Sequence, residues 1–170
     1  MNITSVLAEK KENSLKLKKA LGILLKFKPL GLIQLNDTEL TKALLKWLKS
    51  LPAGFVVYIK NQKTEIITNN TVITWQLDKS VLSWFDFIVC DDDLNDIESY
   101  IEKGITPIVL RKNHLSAKLT EFNPLKNEGN SFFYEDLNKW DIFYTIVRYM
   151  ENYKFPFDNK NLVKNVLNNK

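Results

Sequence analysis

The stretch FDFIVCDDDLNDIE, residues 85–98, ends an apolar run in three consecutive aspartates and then continues at helical spacing. Carboxylates so placed can do several jobs. One can cap the following helix, whose N-terminus presents unpaired N–H groups and favours negative charge. Others can hold a ribose hydroxyl, coordinate Mg²⁺ beside a diphosphate, or repel anions and so tune selectivity. Asp91, Asp92 and Asp93 are therefore candidate ligand contacts. Asn36 and Asp37 close the run GLIQL, Lys60 closes FVVYI, and Lys112 and His114 follow TPIVL within RKNH. Basic side chains beside a strand end suit a phosphate group. His114 is the sole histidine, so a multi-histidine zinc site cannot be built. A Cys90–His114 or serine–His114 nucleophile pair is conceivable by residue type alone, but Cys90 ends an apolar run and reads as a buried structural thiol. No catalytic residue, resident metal site or cofactor follows from these positions. Neither G-x-G-x-x-G nor the phosphate-cradling G-x-x-x-x-G-K-[ST] occurs.

All these candidates sit at the ends of apolar runs, and the runs must position them. Six alternate with helical patterns: GLIQL (31–35), FVVYI (55–59), VITWQ (72–76), FDFIVC (85–90), TPIVL (106–110) and SFFY (131–134). Several are continuous and rich in β-branched or aromatic residues, as strands buried on both faces are. NDTELTKALLKWLKSL has Asn36 with Glu39 three positions on, an approximate capping box, and Pro52 as its stop. DLNDIESYIEKG has a capping aspartate at its start and Gly104 just past its end. Residues 137–152 and 159–168 carry two further amphipathic patterns, and 115–122 could hold another helix. Strand and helix alternating with short joins predict an α/β, three-layer, Rossmann-like domain with a mainly parallel sheet of about six strands and helices on both faces.

The length of 170 residues fits one domain, with 1–28 a basic N-terminal helical segment and 153–170 a helical tail. Within 10–28, seven lysines face one glutamate, interleaved with leucines. The expected role is a helix that packs its leucines on the sheet and leaves its lysines in water. Net charge is +4, but 22 of the 24 basic residues are lysine, and arginine is the residue that reads bases and phosphates bidentately. No nucleic-acid partner is expected. A single cysteine precludes an intramolecular disulfide, and no run approaches a transmembrane segment, so a cytoplasmic protein is expected.

The order of the pieces resembles the C-terminal, nucleotide-sugar-binding lobe of two-lobed (GT-B) glycosyltransferases. Three stretches carry the resemblance: LTKALLKWLKSLPAGFVVYIK, WFDFIVCDDDLNDIESYIEKGITPIVL and LTEFNPLKNEGNSFFYEDLNKWDIFYTIVRYMEN. The family commonly places a ribose-binding glutamate five residues before the helix-ending glycine. That position here is Ser99, with Glu98 one residue away, which makes Glu98 a further ligand candidate. The glycine-rich turn after the first strand is missing, since Leu35 runs straight into Asn36 and Asp37. The resemblance implies a nucleotide-sugar-binding domain that lacks an acceptor lobe, does not catalyse transfer alone, and meets its other half on a partner chain. A non-enzymatic interaction or scaffold module is the second reading, and a metal-dependent nucleotide enzyme the third. The three aspartates should then form the rim of a crevice where GLIQLND and FIVCDDD end side by side. Asp92 or Asp93 should cap the helix, and the other aspartates should be nearly silent in stability.

Overall fold

The computed structural model describes residues 3–60, 63, 65–74, 79–91, 97–112 and 114–168. Its centre is a seven-stranded sheet: β1 (Leu30–Gln34), β2 (Gly54–Tyr58), β3 (Glu65–Thr68), β4 (Thr71–Thr74), β5 (Phe87–Cys90), β6 (Thr106–Leu110) and β7 (Phe132–Tyr134). The spatial order is β3-β4-β2-β1-β5-β6-β7, and every pairing is parallel except β3 with β4. The helices are α1 (Ile3–Leu21), α2 (Thr38–Leu48), α3 (Ile97–Ile101), α4 (Lys139–Tyr153) and α5 (Pro156–Asn168). From β1 the chain crosses to β2 on one side, whereas from β5 it crosses to β6 on the other. Right-handed crossovers therefore put α2 and α3 on opposite faces of the sheet. The mainly parallel α/β architecture expected from the sequence is present.

Burial explains the strand runs. Leu30, Leu32, Ile33, Phe55, Val57, Phe87, Ile88, Val89, Ile108 and Val109 are wholly buried, as strands covered on both faces must be. The strand β3 is the exception: Glu65, Ile66 and Ile67 are exposed, and it forms an antiparallel edge hairpin with β4 across Asn69 and Asn70. Gly31 is required by contact, because a Cβ there would lie 2.1 Å from the Phe87 ring.

The helix ends differ from the sequence pattern in small ways. Asp37, not Asn36, is the N-cap of α2, accepting from Leu40 N at 2.9 Å. Asn138 caps α4 by accepting from Trp140 N and Asp141 N. A short 3₁₀ turn over Leu115–Lys118 stands where a helix over 115–122 was expected.

The basic N-terminal segment departs further. Its helix begins earlier and ends at Leu21, before the chain enters β1. Two of its lysines are not in water. Lys10 is buried and donates to the Gly104 carbonyl at 2.7 Å, while Lys18 is buried and donates to the Phe27 carbonyl at 2.5 Å. Both anchor α1 near the start of the strands. Burial pushes the Lys10 pKa down to about 8, against the pull of Asp86, which favours its charged form. Burial also raises the Asp86 carboxyl above its usual range, opposed first by Lys10.

A lysine titrating lower in the folded state than in the unfolded one binds fewer protons there over the interval between the two values. Stability should therefore rise with pH from about 8 towards 10.5. The rise should reach up to about 3 kcal/mol, since each tenfold loss of proton affinity on folding corresponds to about 1.4 kcal/mol. Urea unfolding across that range should show the rise in the native chain and its loss in Lys10→Met. A flat native profile would contradict the burial of this amine.

Candidate functional site

The strand order reverses between β1 and β5, which run parallel with Gly31 opposite Phe87 and Gln34 opposite Cys90. In open α/β sheets this switch point is where a crevice opens beyond the carboxyl ends of the strands. Asn36 and Asp37 follow β1 there, and Asp91 follows β5. The sequence-based expectation that these two segments end side by side holds in the structure.

Their chemistry is not that of free rim carboxylates. Asp91 is buried, and its Oδ2 accepts from the Asn36 backbone N–H at 2.7 Å. That bond fixes the turn from β1 into α2. Asp37 is committed to capping α2, and its carbonyl also accepts from Thr41 Oγ1 at 2.7 Å. Asp91 is thus a structural clamp, contrary to the expectation that aspartates other than the cap are silent. Asp92 and Asp93, including the expected cap of α3, lie outside the described residues.

Lys60 beyond β2 and Lys112 and His114 beyond β6 share the same edge of the sheet, and all three are exposed. They flank the switch point from its two sides, since β2 and β6 lie outside β1 and β5 respectively. Glu98, in the first turn of α3, is exposed and pairs with Lys118 at 2.8 Å, which holds its carboxyl below the usual range. Asn36, with its backbone amide held by Asp91, is exposed at the start of α2. What the edge offers a ligand is the N-terminus of α2, an exposed asparagine and flanking cations, which suits an anionic or polyhydroxylated group. Among the described residues no group of three His, Cys, Asp or Glu could hold a metal ion.

Sequence reasoning missed an arginine network at the β6–β7 side. Arg111 Nε donates to Glu135 Oε1 at 2.5 Å, its Nη2 bonds Glu121, and Arg148 Nη2 donates to Glu121 Oε1 at 2.6 Å. Arg111 also lies over the Phe133 ring, 4.7 Å from its centroid. The signal was the presence of only two arginines in a lysine-rich chain. Both are engaged by carboxylates here.

No family model matches the chain, and no curated protein matches it in sequence. Solved structures do match in fold. The catalytic domain of starch synthase IV from Arabidopsis thaliana, bound to ADP and acarbose, matches with a TM-score of 0.73 at 16% identity, over 98% of this chain and 40% of that one. Anabaena Alr3699/HepE, in complex with UDP and glucose, gives 0.65 at 9% identity, over 92% and 46%. UDP-GlcNAc 2-epimerase from Neisseria meningitidis, bound to UDP-GlcNAc, gives 0.58 at 13%, over 98% and 49%. The chain therefore spans less than half the length of each of these structures.

Removing the Asp91 carboxylate should leave the Asn36 amide without its partner. Asp91→Ala is expected to cost about 1.5–3 kcal/mol, the range for a hydrogen bond to a charged group. Asp37→Ala is expected to cost about 0.5–2 kcal/mol as a lost N-cap. Urea denaturation of both variants checks this, and an Asp91→Ala protein as stable as the native one would contradict the clamp. At this identity the likeness speaks for fold alone, and in fold the chain resembles a single Rossmann-like lobe of the GT-B glycosyltransferases and related epimerases.

Proposed function

We propose that the chain is a nucleotide-sugar-binding module of glycosyltransferase type that does not transfer sugar by itself. The observation that supports this reading is the β1–β5 switch point, where Asp91 holds the Asn36 amide at the entry to α2. A diphosphate is suited to that helix end because unpaired backbone N–H groups and the helix dipole both favour negative charge. Asn36 and Glu98 are the proposed partners of sugar or ribose hydroxyls, and Lys60, Lys112 and His114 of the phosphates. Asp37 and Asp91 are proposed to act through the α2 entry they hold, and Asp92 and Asp93 to contact the ligand or repel competing anions. The fold neighbours carry ADP, UDP with glucose, and UDP-GlcNAc, which supports the ligand class. An acceptor-binding lobe on a partner chain would complete the enzyme.

One observation favours a non-enzymatic scaffold instead. Leu137, Trp140 and Tyr144 are exposed along α4 and just before it at helical spacing, with Trp140 edge-on to Trp47 at 4.5 Å. Exposed aromatic surface of this kind commonly marks protein contacts.

Thermal-shift measurement with UDP, ADP, UDP-glucose and ADP-glucose, with and without Mg²⁺, separates the two readings. A ligand that binds only the native state adds RT ln(1 + [L]/Kd), about 2.7 kcal/mol at a hundredfold excess over Kd. Stabilisation by at least one nucleotide, reduced in Asn36→Ala and in Lys60→Ala/Lys112→Ala, is expected. The same melting temperature with every nucleotide would overturn the binding module and leave the scaffold. Glycoside formation by the purified chain alone would overturn its dependence on a partner.

A further inference from the structure

A second cavity lies far from the switch point, at the edge where the strands start. Its volume is about 340 Å³, and Phe122, Phe132, Phe155, Arg148, Asn152 and Asp158 line it. Phe132 opens β7, Asn152 belongs to the last turns of α4, and Asp158 to the first turn of α5. The loop before β7 closes the other side. It is held by Phe122 N donating to the Ser131 carbonyl at 2.8 Å and by Asn165 of α5 donating to the Asn127 and Gly129 carbonyls at 2.9 Å. The walls are therefore built from packed elements.

Two features of this cavity are unlike ordinary surface. The first is aromatic: Phe122 and Phe132 pack at 6.3 Å between centroids, and Phe155 is 59% exposed at the mouth. The second is polar. Asn152 is 8% exposed, and among the described residues neither its Nδ2 nor its Oδ1 has a hydrogen-bond partner. A buried amide left unpaired is costly, and such a group calls for an explanation. Asn152 is one of the residues that line the cavity, and turning its carboxamide outward breaks no hydrogen bond to the described residues, because it makes none. Turned, it presents one donor and one acceptor side by side.

We propose that this cavity binds a small planar aromatic compound with an adjacent donor–acceptor edge, a primary carboxamide or a lactam. The exposed Phe155 ring would take one of its faces, over a floor formed by the buried Phe122 and Phe132, in the offset or edge-on geometry aromatic groups prefer. The Asn152 carboxamide would pair with its edge. A pocket lined by apolar side chains with a few placed polar groups, at a volume near the lower end for small-molecule sites, is the usual form of such a site. Asp158 and Arg148, whose guanidinium is paired with Glu121, complete the cavity wall. This site is independent of the switch-point crevice and does not rest on the nucleotide-sugar reading.

The probes are nicotinamide and benzamide, with toluene as the ring without the edge, titrated into the full chain and followed by ligand-observed NMR and by melting temperature. Saturable binding of both amides is expected, with binding about tenfold or more weaker in Asn152→Leu, the loss expected when a hydrogen-bonded pair is removed. Asn152→Leu should melt no lower than the native chain, because it removes an unpaired polar group. Phe155→Ala, at an exposed position, should weaken the amides without lowering stability. Two outcomes would overturn the proposal: no saturable amide binding, or binding that survives both substitutions unchanged. A marked loss of stability in Asn152→Leu would also overturn it, by showing that the amide is already paired.

Discussion

Strand β5 is bound to β1 at both of its ends by an aspartate side chain. Before the strand, Asp86 Oδ2 accepts from the Leu30 amide at 2.7 Å; after it, Asp91 Oδ2 accepts from the Asn36 amide at 2.7 Å. These two bonds close the one junction where the order of the sheet reverses. The candidate groups at the carboxyl edge are placed relative to that junction: β2 and Lys60 on one side, β6 with Lys112 and His114 on the other. Hydrogen bonds to ionised carboxylates are stronger than neutral ones and expensive to break when buried. Asp91, one of the aspartates that first suggested ligand chemistry, thus serves with Asp86 to hold the platform.

The two ends of the junction differ in electrostatics. At the strand starts, Asp86 sits among Lys10, Lys18 and the hydroxyl-bearing rings of Tyr149 and Tyr153, and desolvation dominates every titration there. Tyr149 donates to the Asp86 carbonyl at 3.3 Å, so α4 is anchored to the same residue as β1. Those lysines draw α1 onto the sheet, and the helix is committed to the fold. At the strand ends the groups are exposed, and a charged ligand could compete with water for them. Order at one edge and access at the other is the division expected of an open α/β platform.

Much of this was legible in the residues. Continuous β-branched and aromatic runs mark buried parallel strands because both faces are covered by apolar packing, and β1, β2, β5 and β6 follow the runs closely. Strand β3 was not legible, because EIIT lies exposed at an edge and its neighbours are polar. The Asn69-Asn70 turn between two β-branched segments was its one cue. The cap of α2 shifted by one residue because Asn36 and Asp37 are both competent caps, and Asp91 from a distant strand claims the Asn36 amide. Buried Lys10 and Lys18 were invisible, since a lysine in a lysine-rich helix reads as solvated until the carbonyl it reaches is known. The same limit applies to Asp91: sequence shows a carboxylate at a strand end, and only the register of β1 against β5 shows what it holds.

The central claim is that the β1–β5 edge, with its clamped helix entry, is the ligand-binding edge of the molecule. Hydrogen–deuterium exchange with and without saturating UDP-glucose tests it most directly. Slowed exchange at the backbone amides of residues 36–40 and of those following β5 and β6 is the predicted result. No change there, or protection confined to the strand-start edge around Lys10 and Asn152, would contradict it.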